Sequence, residues 1–258
     1  MLRFKSLGSG SAGNATVVEA GSGVVVTRLL VDCGLGIRQL ETRLAAAGLQ
    51  TSDIDAIFIT HEHSDHIGSA RTVALKHRVP VWMSEGTYAG IGAPDLDGLL
   101  RVAQDGVAID LGALQVMPFT VPHDAREPLQ MTCTNGDRRL GVLTDLGHAT
   151  NHVMSHLAGC HALVLECNHD ADLLAGGGYP WFLKQRVAGL HGHLENSAAA
   201  AIAQLLNHPA LNHVVAAHLS ENNNRPDLAR AALAGVLGRN ADEICVAFQK
   251  DGTAWLNA

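Results

Sequence analysis

The chain has 258 residues, 47% of them hydrophobic and 17% charged, with a formal net charge of -7. That apolar fraction excludes intrinsic disorder, and no window reaches the ~18 to 20 consecutive apolar residues that a membrane span needs. The acidic balance excludes a generally basic coat for nucleic acid, though not a local basic groove.

The length admits one large α/β domain or two small ones. Residues 1–8 lack the pattern of a secretory signal, which makes the cytoplasm the expected compartment. Strands are expected at Ala15–Glu19, Gly23–Val26 and Leu29–Asp32, all rich in valine or leucine. Ile37–Leu44 reads as a helix, with apolar residues at i, i+3 and i+7 and Gly48 placed to end it. Asp55–Thr60 reads as a buried strand, Ile67–His77 as a helix, and Val79–Met83 and Leu114–Val121 as strands. The second half repeats the rhythm with strand Leu140–Thr144, helix Asn151–Leu157, strand Ala162–Glu166 and a helix from about Pro180 to Val187. Helix Ser197–Asn207 follows behind an Asn196 cap, then strand His213–Ala217, helix Pro226–Leu237 with proline in its first turn, and strand Ile244–Phe248. Such alternation implies sheet covered by helix. Cys33, Cys133, Cys160, Cys167 and Cys245, an odd set without a CxxC pair, read as buried small hydrophobes.

The densest chemical signal is His61-Glu62-His63-Ser64-Asp65-His66, directly after the strand that ends at Thr60. Three imidazoles and an aspartate in one turning loop are good divalent-metal ligands. Further donors stand at other strand ends: His123 after Val121-Pro122, Asp145 after Thr144, and His218 after Ala217.

The run HxHxDH, a later His, a later Asp and a final His resembles the metal signature of the metallo-β-lactamase superfamily. Six further stretches, among them 7–14, 122–128, 166–170, 178–181, 192–196 and 218–223, resemble its YycJ (WalJ) subgroup of metal-dependent 5′ to 3′ DNA exonucleases linked to DNA repair. The resemblance implies one domain over residues 1–258, a four-layer αββα sandwich with two mixed β-sheets flanked by helices. It implies two divalent ions, Zn or Mn with Fe as a further option. His61, His63 and His123 would hold one ion, and Asp65, His66 and His218 the other, with Asp145 bridging and Asp32 orienting the metal loop. Two adjacent ions activate water and stabilise both the attacking and the leaving oxygen, which suits phosphodiesters. By resemblance to tRNA-processing relatives, His193 is the proton donor and Glu166 its partner.

Substrate contacts are expected from the Gly/Ser loop through Ser9, Ser11 and Asn14. Asn168, His169, Lys184 and Arg186 join them, with Trp181 and Tyr179 near enough in sequence to offer stacking. The expected substrate is DNA. A small-molecule phosphodiesterase acting on cyclic or short nucleotides is the alternative, and a non-catalytic nucleic-acid-binding regulator a third reading, against which the complete ligand set speaks.

Overall fold

The computed structural model describes residues 1–258. In chain order the first half holds β1 (Leu2–Gly8), β2 (Ala15–Ser22), β3 (Val25–Val31), α1 (Ile37–Ala46), β4 (Ala56–Phe58), α2 (Ser64–Ile67), α3 (Ala70–His77), β5 (Val81–Met83), α4 (Glu85–Gly90) and β6 (Leu100–Val102). There follow β7 (Ile109–Asp110), β8 (Gln115–Thr120), β9 (Leu129–Thr134), β10 (Arg139–Leu143), α5 (Asn151–Leu157), β11 (Ala162–Glu166), α6 (Ala171–Gly176) and α7 (Trp181–Val187). The chain closes with α8 (Asn196–Leu206), β12 (His213–Ala217), α9 (Pro226–Leu237), β13 (Cys245–Val246) and β14 (Leu256–Asn257).

Two seven-stranded sheets result, ordered β14-β1-β2-β3-β4-β5-β6 and β13-β12-β11-β10-β9-β8-β7. Both are mixed: β1 to β3 and β7 to β10 run antiparallel, whereas β3 to β6 and β10 to β13 run parallel. Strand periodicity assigns the layers. Leu29 and Val31 of β3 meet Val142 of β10 and Val164 of β11 between the sheets. Leu30 turns the other way onto Leu40 and Leu44 of α1 and Val73 of α3, as Leu163 and Leu165 turn onto α8 and α9. This is the four-layer αββα sandwich that the resemblance implies. No helix is long and apolar enough to cross a membrane.

Several expectations need correction. The valine run at 23–26 is not a strand of its own, because Gly23 turns at φ 59 and Val24 is 100% exposed at the tip of the β2–β3 hairpin. Strand preference in valine describes fit to a pleated surface and does not guarantee burial. The helix expected over 67–77 is broken at Gly68, where φ is 28. Glu195, not Asn196, is the residue preceding α8 in extended conformation. Strand β9 escapes a search for apolar runs because Gln130 and Thr132 are buried polar residues, Gln130 Nε2 donating to Thr144 O at 2.6 Å.

Candidate metal centre

The site forms where strands end. Asp32, Asp145 and His218, one or two residues beyond β3, β10 and β12, all adopt left-handed backbone, with φ of 59, 53 and 55. Non-glycine residues held there store strain, and such strain gathers at functional sites. The loops after β3 and after β1 both lie directly against the metal loop, Cys33 N donating to His66 O at 2.8 Å and Asn14 N to Asp65 O at 2.8 Å. Gly34 permits that approach, since a side chain there would collide with the Asp65 carbonyl.

Two donor sets converge. His61 Nε2 lies 3.0 Å from His63 Nδ1, which lies 3.4 Å from His123 Nε2. Alongside, Asp65 Oδ2 is 3.5 Å from both His66 Nε2 and His218 Nε2. Asp145 joins them, Oδ2 lying 3.2 Å from His66 Nε2 and Oδ1 3.4 Å from His218 Nδ1. The opposite ring nitrogens are held by protein: His66 Nδ1 by Asp32 Oδ2 at 2.8 Å, His61 Nδ1 by Thr60 Oγ1 at 3.0 Å, and His123 Nδ1 by Gly192 O at 3.1 Å. Each bond fixes a tautomer and turns the other nitrogen's lone pair inward.

Asp145 Oδ2 is buried without a hydrogen-bond partner, facing an imidazole nitrogen whose own proton sits on the far side. A carboxylate oxygen this close to an imidazole nitrogen calls for a cation between them, a proton or a metal ion, so the residues present fit divalent-metal binding. The electrostatics agree. Burial opposes charge on His66 and His218, yet Asp145 and neighbouring carboxylates more than offset it, raising His66 well above its ordinary value and His218 to about 10. Burial lowers His61 and His123, which keeps both rings neutral.

Beside the donors, Glu166 Oε1 accepts from His193 Nδ1 at 2.7 Å, while Leu146 N and Leu194 N donate to Oε2, each at 3.1 Å. Burial would raise the Glu166 carboxyl, but His193 and His218 hold it down at about 2. Conversely, burial pulls His193 down and Glu166 pulls it further up. His193, Asp65, Asp145 and His218 border a cavity of about 240 Å³, together with Ser11, Asp124, Tyr179 and Arg186.

The expected substrate contacts divide. Ser11 and Arg186 border this cavity, Arg186 Nε donating to Asp124 Oδ2 at 2.6 Å. Ser9, Asn14 and Asn168 are committed to holding the site: Ser9 Oγ accepts from His218 N at 2.8 Å, Asn14 Nδ2 reaches Asp65 Oδ2 at 3.3 Å, and Asn168 Nδ2 donates to His218 O at 3.0 Å. The Gly/Ser loop is not a phosphate nest, because the N–H groups of Ser9, Gly10, Ala12, Gly13 and Asn14 all bond to the protein's own oxygens. His169 and Lys184 lie outside the metal cavity, bordering a neighbouring one. Sequence reading missed Thr60, whose hydroxyl touches Asp32, His61 and His66, and Asp124, whose Oδ1 is 3.4 Å from His123 Nε2.

Known proteins similar to this chain share one fold family. A family model described as a beta-lactamase superfamily domain matches residues 27–218. The chain is 35% identical to Exodeoxyribonuclease YycJ of Bacillus anthracis, over 96% of this chain and 94% of that protein. It is 31% identical to Exodeoxyribonuclease WalJ of Streptococcus pneumoniae, over 92% and 88% of the two chains. Among solved structures, the metallo-beta-lactamase fold protein YhfI from Bacillus subtilis is similar at a TM-score of 0.75 and 17% identity, covering 100% of this chain and 99% of that one.

Proposed function

The chain belongs to the β-lactamase superfamily, in the group of the YycJ and WalJ proteins, and from that premise we propose that this metal-dependent nuclease is a DNA exonuclease holding two divalent ions. His61, His63 and His123 would hold one ion and Asp65, His66 and His218 the other, with Asp145 in reach of His61 and His66. The observation that carries the reading is the meeting of these two donor sets beside the His193–Glu166 pair. Zn²⁺, Mn²⁺ and Fe²⁺ all suit such mixed His/Asp donors. When bound, the ions supply ionisation of water at neutral pH and neutralisation of phosphate charge.

The protein's own residues do the rest. Glu166 accepts from His193 Nδ1–H, fixes the ring and favours its protonated form, so that His193 can deliver a proton to the leaving 3′-oxygen. Asp124 restrains Arg186 at the cavity edge, where its guanidinium meets the phosphate backbone. Polarity from the 5′ end, a role in DNA repair, a cytoplasmic setting and a single catalytic domain complete the proposal. The test is digestion of 5′-phosphorylated DNA with Mn²⁺ or Zn²⁺. Mononucleotide release that vanishes in Asp65→Ala supports it. Hydrolysis of bis(4-nitrophenyl) phosphate with DNA left intact would instead mark a small-nucleotide phosphodiesterase.

A further inference from the structure

Helix α7 separates two cavities. Leu183, Arg186 and Val187 border the metal cavity, whereas Trp181, Lys184, Gln185 and Ala188 border a second one of about 330 Å³ that also touches His169 and Glu195. That volume lies at the small end of ligand sites, room for one nucleoside and not for a duplex. No residue of α7 is buried, and Trp181 keeps 76% and Phe182 68% of its surface in water. Aromatic rings left in water beside a catalytic cavity form a surface built for contact.

The wall of the second cavity also includes a histidine with an unanswered ring nitrogen. His169 is 2% exposed, and its Nδ1 has no hydrogen-bond partner. Buried polar groups are nearly always paired, so an exception marks a place for an absent partner. An isolated parallel bridge sets His169 beside Glu195. Lys184 Nζ already donates to Ala175 O at 2.6 Å, and the Glu195 carboxylate accepts from Ser197 Oγ. The Glu195 carboxylate on this wall disfavours a phosphate, and Lys184 Nζ places one of its three N–H donors on Ala175 O. A flat heterocycle with polar edges matches both the ring and the imidazole.

We propose that the second cavity is a nucleobase subsite, in which one base flanking the phosphodiester under attack stacks on Trp181 and hydrogen-bonds His169 while the backbone crosses α7 past Arg186. The proposal rests on the exonuclease reading and narrows it. A cavity that takes one base takes it unpaired, so the substrate is single-stranded DNA or an end that frays.

The test uses the metal-loaded protein and 5′-phosphorylated single strands in which one abasic nucleotide is moved through successive positions. Stacking of one base is worth roughly 5- to 150-fold in binding. One position is therefore expected to raise KM on the order of tenfold with kcat held. Trp181→Ala should raise KM on the intact strand by the same factor and erase the abasic penalty, and Trp181→Phe should restore most of both. The side chain is exposed enough that its loss leaves the fold intact. Penalties that multiply, or an abasic scan with no sensitive position, would overturn the subsite while leaving the exonuclease standing. No release from any intact strand would overturn the exonuclease reading and the subsite with it.

Discussion

Asp32 gives one carboxylate oxygen to Thr60 N at 2.9 Å and the other to His66 Nδ1 at 2.8 Å, so a single residue joins the end of β3 to the metal loop. Removing it frees His66 to rotate. Asp32→Ala is expected to weaken metal binding by roughly 10- to 100-fold, the usual effect of losing a carboxylate behind a histidine ligand. Titration against a chromophoric chelator reads this directly, and unchanged affinity would remove Asp32 from its role. His193→Ala has a different expected profile: kcat falls by about 10² to 10⁴ while bound metal stays constant, the pattern of a lost proton donor. Metal loss in that variant would make His193 a ligand instead. The His61–His66 run is legible in the sequence because so many ligand types rarely crowd one turn. Thr60 is not, nor is the positioning role of Asn14 and Asn168, because a polar residue at a strand end looks the same whether it meets substrate, water or a ligand-bearing loop.

Among elements, the loop after β3 and the metal loop are locked by backbone bonds that glycine makes possible. Gly34→Ala would force the Asp65 carbonyl away and is expected to cost about 3 kcal/mol with loss of metal, measured by denaturant unfolding. Gly235, inside α9, offers the contrast: a Cβ there meets nothing within 4 Å. Gly235→Ala should therefore stabilise the chain by roughly 0.5 to 1 kcal/mol, seen as a higher Tm. Helices α5 and α9 are legible from periodicity because each buries one face, and β11 and β12 as continuous apolar runs because each is buried on both faces. Strands β6, β7 and β14, of two or three residues, are too short to show a period and exist through pairing to their neighbours. The left-handed turns at Asp32, Asp145 and His218 are equally hidden, since aspartate and histidine enter that region more readily than most residues but few copies of either do.

For the molecule as a whole, metal and protons compete for one acidic centre. Burial pulls His218 down from 6.5, and Asp145, Asp65 and Glu166 pull it further up, to about 10. A folded pKa above the unfolded one stabilises fully below about pH 6.5, and this contribution is lost as pH rises through about 10. Chelator-treated protein should accordingly lose Tm across that window, whereas saturating metal should flatten the loss because ions replace the protons. The net charge of -7 is itself eased when ions bind, which favours approach of a polyanion to a cavity holding one paired arginine. The central claim meets its most direct test in stripped protein reloaded with counted equivalents of Mn²⁺ and given 5′-phosphorylated single-stranded DNA. Mononucleotide release is expected to be absent without metal and to saturate near about two ions per chain. Release that persists undiminished in stripped protein, or DNA left intact at full loading, would contradict the account.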